Sequence, residues 1–268
     1  MRLSLWRRIC RELRPNSFAG WLCLVGSAMF DPLRFSIAPR SVLSPQPFCR
    51  LLLYAPRLDA HFLVRKNADD IYNILPFREM DVHDAILGNL RLGDVFVDGG
   101  ANVGYYSILG AKAVGPSGTV VAIEAVQATA KQLAHNLKLN GIANTLIVNK
   151  AIQGNPDAEA VELEIPIGHF GMASFVISDK SGHFNRLKVD ATTIDNICNT
   201  YDHIRLIKLD VEGAELAALM GARRTLAKTD YVVVECNESE AEISELLSEE
   251  GFAVKKLQFT TYVLGYHW

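Results

Sequence analysis

The sequence predicts an α/β fold: a Rossmann-like, mostly parallel seven-stranded sheet with helices on both faces, preceded by an N-terminal helical extension. Three observations predict this fold. From Glu79 onward, strand and helix patterns alternate, which is typical of βαβ units and a parallel sheet. A glycine-rich loop follows the first strand of this series, and acidic residues stand at the ends of several strands. Because ligands of such sheets bind outside the carboxyl ends of the strands, these positions are the candidate functional residues.

The individual elements follow from hydrophobic periodicity and from the positions of turn-forming residues. Helices are expected over residues 80–90, 105–113, 128–139, 214–226 and 240–250. Strands are expected over residues 95–98, 120–124, 145–149, 160–165, 206–209, 231–235, 254–257 and 262–266.

Composition fits one catalytic domain with room for an appendage, since 49% of the 268 residues are hydrophobic and 21% are charged. Nucleic-acid binders carry a positive surplus, whereas this chain has a formal net charge of -3, so no nucleic acid is expected as a partner. The five cysteines are widely separated and include no Cys-x-x-Cys pair, which favours reduced thiols over a zinc site or a disulfide framework. They are Cys10, Cys23, Cys49, Cys198 and Cys236.

Residues 1–30 form a basic segment followed by an apolar one. Up to Arg14, five arginines are interspersed with apolar residues that recur at helical spacing, which predicts a basic amphipathic helix. The uncharged run 17–30 falls short of the roughly 20 residues that span a bilayer as a helix. Three interpretations stay open: docking on the cytoplasmic leaflet of a membrane, capping of the domain's own core, or removal as a signal peptide.

The stretch 31–77 is rich in proline and is interpreted as a linker with a lead-in strand near residues 62–65. Residues 78–268 are then the catalytic domain.

The first strand of the domain ends in a loop that combines an acid with glycines, from Asp98 through Gly100 and Asn102 to Gly104. No register of this loop gives the Gly-x-Gly-x-x-Gly of dinucleotide-binding folds. The spacing Asp-x-Gly-x-x-x-Gly is instead typical of the nucleotide loop of methyltransferases. There, a carboxylate such as Asp98 meets the ammonium group of a sulfonium cofactor, and glycines let the backbone approach it closely. The alternative is that Asp98 only caps the following helix.

Glu124 ends the second strand, where an acid can accept hydrogen bonds from both hydroxyls of a ribose. A solvated strand end is the alternative for Glu124 alone. Together with Asp98 and the glycines, it favours a cofactor site.

With these blocks in view, the chain resembles the FkbM family of methyltransferases over about residues 79–237. The blocks that carry the resemblance are DVFVDGGANVGYYS (94–107), IEAVQATAKQLAHNLKLNG (123–141), GMASF (171–175), IKLDVEGAELAALMGA (207–222) and VVVEC (232–236). The resemblance implies a class I methyltransferase fold, S-adenosyl-L-methionine as methyl donor, and transfer to an oxygen of sugars, lipids or polyketide-type compounds. After Glu124 the chain has Ala125 and Val126 where the family commonly has proline, which leaves the turn there undefined.

The resemblance also implies roles for individual residues. The cofactor loop would consist of Asp98, Gly100, Asn102, Gly104 and Ser107. Glu124 would be the ribose ligand, and Glu79 would contact the methionine part of the cofactor. Ala151, which follows the third strand, is expected to line the adenine pocket.

Two acids follow the strand 206–209, at the edge where cofactor and acceptor should meet. An alcohol must lose its proton during methyl transfer, so Asp210 or Glu212 is expected to be the general base or a ligand of a hard cation, although no metal is predicted. Acids at a helix start also complement the helix dipole without any catalytic role, and this alternative applies to Glu212 and Glu215. His169, in the insertion 166–186, is a further candidate base, with a surface loop histidine as the ordinary alternative.

The predicted function is therefore O-methylation of a small molecule, glycan or glycolipid in the cytoplasm. Peripheral membrane contact through residues 1–30 is one of the three interpretations that stay open for that segment. Base N-methyltransferases of nucleic acids generally carry an Asn/Asp-Pro-Pro-Tyr/Phe edge after this strand, and the chain contains no Pro-Pro pair. N-methylation of another acceptor, and a membrane-docked protein that binds the cofactor without turnover, are the alternatives.

Overall fold

The computed structural model describes residues 2–37, 46–75, 77–166, 184–237 and 239–267. The helices are α1 (Arg2–Glu12), α2 (Phe18–Ile37), α3 (Asp70–Asn73), α4 (Met80–Asn89), α5 (Tyr105–Val114), α6 (Gln127–Leu139), α7 (Ile194–Ile197), α8 (Glu215–Met220), α9 (Arg223–Leu226) and α10 (Glu240–Glu249). The strands are β1 (Arg14–Pro15), β2 (Leu51–Ala55), β3 (Ala60–Val64), β4 (Val95–Gly99), β5 (Thr119–Ile123), β6 (Thr145–Val148), β7 (Ala151–Ile152), β8 (Ala160–Pro166), β9 (Phe184–Thr192), β10 (Ile204–Leu209), β11 (Thr229–Glu235), β12 (Ala253–Lys256) and β13 (Tyr262–Tyr266).

Seven strands form one sheet in the order β12-β13-β11-β10-β4-β5-β6. The strands from β11 to β6 pair in parallel, whereas β13 pairs antiparallel with both β11 and β12. The predicted mostly parallel seven-stranded sheet is confirmed. The chain runs outward from β4 through β5 to β6 and later returns to β10 beside β4. The strand order therefore reverses between β4 and β10, which is where ligands bind in sheets of this kind.

Alternate residues of the central strands pack against opposite layers, as the two-residue period of a strand requires. Phe96 and Leu206 belong to the core that α4 and α5 cover, whereas Val97 and Ile207 belong to the core that α8 and α10 cover. All four side chains are fully buried. Helices thus lie on both faces of the sheet, as predicted.

A smaller antiparallel sheet, β1-β2-β3, lies within the N-terminal part of the chain. Its strands β2 and β3 alternate buried and half-buried residues. Asn136 of α6 and Asn140, directly after this helix, bind the edge of β3. Asn140 donates to the His61 carbonyl at 2.7 Å and Asn136 accepts the Leu63 N–H at 2.9 Å. Residues 51–64 therefore form a folded hairpin inside the stretch that was interpreted as a linker. The domain boundary at residue 78 stays a prediction.

The predicted helix 214–226 is two helices, α8 and α9. The break lies at Gly221, where a Cβ atom would stand 2.5 Å from the Gln153 carbonyl oxygen. This close approach of the chain after β7 allows no side chain at the junction. A second difference is β9, which the sequence pattern does not predict. Its residues 184–190 pair antiparallel with β8, and its last two residues pair in parallel with β7.

The expectation of reduced thiols is wrong for two cysteines. Cys23 and Cys49 form a disulfide, with their Cα atoms 6.6 Å apart. The segment before β2 lies along α2, where Ser27 Oγ accepts the Phe48 N–H at 3.2 Å, and this packing brings the two sulfurs together. Among the described residues, Cys10, Cys198 and Cys236 are free.

The expected basic helix is present as α1, and the apolar run that follows it forms a second helix, α2. Ile9, Leu13 and Leu24 are fully buried in the core that also contains the hairpin β2-β3. No helix within the described ranges combines the length and the apolar character that a membrane crossing requires.

Candidate active site

The loop between β4 and α5 passes very close to the end of β10. A Cβ atom at Gly100, where φ is +75°, would lie 1.8 Å from the Asp210 carbonyl oxygen. The backbone N–H of Asp210 also donates to the Gly99 carbonyl at 3.1 Å. Only glycine combines this conformation with so close an approach. The loop and the candidate catalytic strand end are thus held together as one unit.

A buried ion network lies beneath this loop. Lys208 Nζ stands 3.5 Å from Asp98 Oδ1 and 3.6 Å from Asp210 Oδ2. Ser107 Oγ donates to Asp98 Oδ2 at 2.6 Å. Burial alone would lower the pKa of Lys208, but the two carboxylates outweigh burial and raise it. Burial raises the pKa of Asp98 against the opposing effect of Lys208. Asp98 and Ser107 are both fully buried, beneath the surface of the candidate site.

Glu124 sits at the end of β5 and faces the loop. Its Oε2 accepts the Asn102 N–H at 3.0 Å and its Oε1 accepts the Val126 N–H at 2.8 Å. Each carboxylate oxygen keeps a free lone pair for a further donor. Burial raises the pKa of Glu124 to about 7, although the two backbone N–H groups oppose it. Beside it, Asn102 Oδ1 is buried and has no hydrogen-bond partner in the part of the chain that the structure describes.

These groups border a cleft at the carboxyl ends of β4, β5 and β10. The cleft holds about 830 Å³ of empty space, including its open mouth. Four of the predicted cofactor residues line it, namely Gly100, Asn102, Glu124 and Ala151. The other four lie outside its lining, namely Glu79, Asp98, Gly104 and Ser107.

Glu79 supports residues of the cleft wall. Its Oε2 accepts the Tyr106 hydroxyl at 2.7 Å, and its Oε1 lies 2.6 Å from the guanidinium of Arg78. Tyr106 and Arg78 both line the cleft. Glu79 therefore positions two lining side chains from behind.

Four carboxylates lie close together at the ends of β10 and β11. They are Asp210, Glu212, Glu215 and Glu235. Among these four, Asp210 lies closest to positively charged side chains. Burial raises the pKa of Asp210, but Lys208 and Arg78 together with a 2.8 Å hydrogen bond from the Tyr262 hydroxyl lower it below its usual value. Asp210 therefore stays ionised at neutral pH.

Glu212 differs from Asp210 although only one residue separates them. It lines the cleft, and its backbone has a φ of 53°, a strained conformation for a residue with a side chain. Burial and then the charge of Asp210 raise the pKa of Glu212 to about 8. A carboxyl with a pKa near neutrality is suited to proton transfer.

The other two acids have different surroundings. Glu215 accepts the backbone N–H groups of Val211 at 2.8 Å and Gly213 at 3.0 Å, so its carboxylate stabilises the turn that leads into α8. Burial and the neighbouring Asp210 raise the pKa of Glu235 to about 9. Oxygen atoms of Asp210, Glu215 and Glu235 lie within 4.8 Å of one another, a spacing that a hard cation could bridge. A proton retained on Glu235 also relieves the repulsion among these three carboxylates, without any cation.

Several lining residues were not identified from the sequence. Arg78, Tyr105, Tyr106 and Lys150 line the cleft. Lys150 follows β6, so the rule about strand ends could have found it. The two tyrosines begin α5, where the sequence pattern indicates only a helix, and no motif signals Arg78. His169 and the GMASF block lie outside the described residues.

Comparisons with known proteins bear on this site. A sequence model of the methyltransferase FkbM domain matches residues 98–254, more than half of the chain. Comparison with curated proteins gives no match. Among solved structures, methyltransferase FkbM from Methylobacillus flagellatus KT is similar at 18% identity and a TM-score of 0.45, over 74% of this chain and 54% of that chain. This chain thus spans about half the length of that protein.

Two further structures show similarity. Fibrillarin from Aeropyrum pernix with natively bound S-adenosyl-L-methionine has 10% identity and a TM-score of 0.43, over 81% of this chain and 93% of that chain. An rRNA methylase from Streptococcus thermophilus has 14% identity and a TM-score of 0.43, over 69% of this chain and 93% of that chain. On the match to residues 98–254, the chain belongs to the FkbM methyltransferase domain family, which confirms the predicted family and, with it, a methyltransferase with S-adenosylmethionine as donor.

Proposed function

We propose that this methyltransferase methylates a hydroxyl oxygen of a small molecule, glycan or glycolipid. The observation that carries the proposal is Glu212, a cleft-lining carboxyl with a pKa of about 8. A hydroxyl is a weak nucleophile until its proton is removed. A base whose pKa lies near the working pH removes that proton most effectively.

The residues at the cleft fit the donor. S-adenosylmethionine, when bound, supplies an electrophilic methyl carbon on a positively charged sulfur. Glu124 would accept the two ribose hydroxyls with the lone pairs that its backbone partners leave free. The unpartnered Asn102 Oδ1 would gain a donor, and Ala151 would line the adenine pocket. Asp98, the predicted partner of the ammonium group, is fully buried, so its direct contact stays a prediction.

Asp210 has a different task from Glu212. Its lowered pKa makes it a poor proton acceptor, but its charge favours a cationic donor in the cleft. The same charge helps to raise the pKa of Glu212. We therefore assign the proton transfer to Glu212 and assign electrostatic support to Asp210.

The test is the release of S-adenosylhomocysteine with a library of sugars, lipids and small alcohols, followed by kinetics on the best acceptor. Glu212→Gln should lower kcat by about 10²–10⁴-fold, because the amide cannot take the proton. The dissociation constant of S-adenosylhomocysteine should change less than about twofold. In the unsubstituted enzyme, kcat should rise with pH up to about 8, because only the ionised carboxylate accepts a proton, and the variant should lose this rise.

Glu245→Gln, at an exposed position on α10, is the matched control and should leave kcat unchanged. Near-normal turnover of Glu212→Gln would remove Glu212 from the mechanism. Turnover with amines but with no hydroxyl acceptor would replace the proposal by N-methylation. Tight cofactor binding with no turnover on any acceptor would indicate a binding protein.

A further inference from the structure

The helix α2 has two opposite apolar faces, and the protein covers one of them. The covered face contains Cys23, Leu24 and Ser27, all buried. The opposite face carries large apolar side chains that recur at helical spacing and are all exposed. They are Phe18, Trp21, Leu22, Val25 and Met29, and we call them the apolar face of α2. An exposed apolar patch of this kind marks an interaction site.

The apolar face of α2 is held in place by contacts on the other side of the helix. The Cys23–Cys49 disulfide ties α2 to the segment before β2. Helix α1 is fixed as well, since Ile9 is fully buried and the Arg8 guanidinium lies 3.8 Å from the centre of the Phe77 ring. The exposed side chains are therefore presented by anchored helices and are not needed for the core that anchors them.

Charge identifies the partner. Residues 1–55 contain eight arginines against two acids, Glu12 and Asp31, a formal charge of +6. Because the whole chain has a formal charge of -3, the remaining residues sum to -9. Exposed arginines flank the apolar face along the chain. They are Arg7, Arg8, Arg11, Arg14 and Arg50.

We propose that α1 and α2 form a docking surface for an anionic lipid membrane, with the apolar face of α2 entering the interface and the arginines contacting acidic headgroups. Helices that lie in the plane of a membrane combine these two features. A nucleic acid would use the arginines but leave five large apolar side chains in water. The docking does not depend on the proposed reaction, and binding alone tests it.

The experiment is co-sedimentation of the full-length protein with vesicles of phosphatidylcholine alone or mixed with phosphatidylglycerol. Binding should require phosphatidylglycerol and should weaken with salt. The double variant Phe18→Ser/Met29→Ser should bind at least about tenfold more weakly, because two apolar side chains no longer leave water. Arg7→Gln/Arg11→Gln should also weaken binding, by roughly fivefold for each arginine removed.

The matched control is Phe259→Ser/Leu92→Ser. These side chains are 79% and 77% exposed, against 78% for Phe18 and 74% for Met29, and they lie elsewhere on the fold. The control should keep vesicle binding within about twofold. The proposal is overturned by failure of the protein to sediment with anionic vesicles, or by equal losses in both double variants. It is also overturned if light scattering finds a dimer that Phe18→Ser/Met29→Ser dissociates, or if duplex RNA binds through the arginines while vesicles do not.

Discussion

Protonation of Glu124 should control cofactor affinity. The proposed ribose contact needs the ionised form, because a protonated carboxyl loses an acceptor site. Burial raises the pKa of Glu124 to about 7 in the free protein. About nine in ten molecules are then ionised at pH 8, but only about one in eleven at pH 6. The affinity for S-adenosylhomocysteine should therefore fall about tenfold from pH 8 to pH 6, or about 1.4 kcal/mol.

Calorimetric titration of S-adenosylhomocysteine measures this dependence. Two buffers of different ionisation enthalpy also report the protons exchanged, and binding at pH 6 should release nearly one proton. Glu124→Gln should bind weakly at both pH values with no such release. Glu212→Gln is the necessary control, because Glu212 lines the same cleft and has a pKa of about 8. The Glu212→Gln variant should keep the tenfold change in affinity for S-adenosylhomocysteine between pH 8 and pH 6.

Constant affinity between pH 6 and pH 8 would refute this account of Glu124. So would a tenfold change that persists in Glu124→Gln, since another group would then control binding.

Two further substitutions test the support beneath the cleft, both by urea unfolding. Gly100→Ala should cost about 3–5 kcal/mol, because its Cβ would meet the Asp210 carbonyl oxygen at 1.8 Å and φ is +75°. Gly141→Ala, where φ is +66° but no atom lies within 4 Å, should cost only about 1–2 kcal/mol, and equal losses would contradict the steric argument. Lys208→Met should cost about 3–5 kcal/mol by leaving two buried carboxylates without their cation. Lys256→Met, which removes an exposed ion pair, should cost less than about 1 kcal/mol, and a similar loss for both lysines would contradict the role of burial.

The sequence predicts the sheet and part of the site because both depend on local order along the chain. Strand ends in a parallel sheet meet at one edge, so Gly100, Glu124 and Asp210 could be placed together without any knowledge of packing. The same rule could not separate residues at the surface of the cleft from those beneath it. Asp98 stands at a strand end like Glu124, yet it is fully buried beside Lys208.

Contacts between distant parts of the chain explain what the sequence did not predict. The Cys23–Cys49 disulfide depends on how α2 packs against the segment before β2, and its spacing matches no cysteine motif. The prolines of the stretch 31–77 suggested a linker, but Pro56 lies in the turn between β2 and β3, where Asp59 N–H donates to its carbonyl at 3.2 Å. A proline beside a strand does not interrupt it.

The contrast between Asp210 and Glu212 shows how one short turn yields two carboxyls of different chemistry. Asp210 is the first residue after β10, so it remains beside Lys208, which projects from that strand. At Glu212 the backbone enters a left-handed conformation and the side chain lines the cleft, among carboxylates. Lys208 and Arg78 keep Asp210 charged, and burial together with that charge raises the pKa of Glu212. Loss of Lys208 should therefore lower the pKa of Glu212 as well as the stability, because an Asp210 that has become neutral no longer raises the pKa of Glu212.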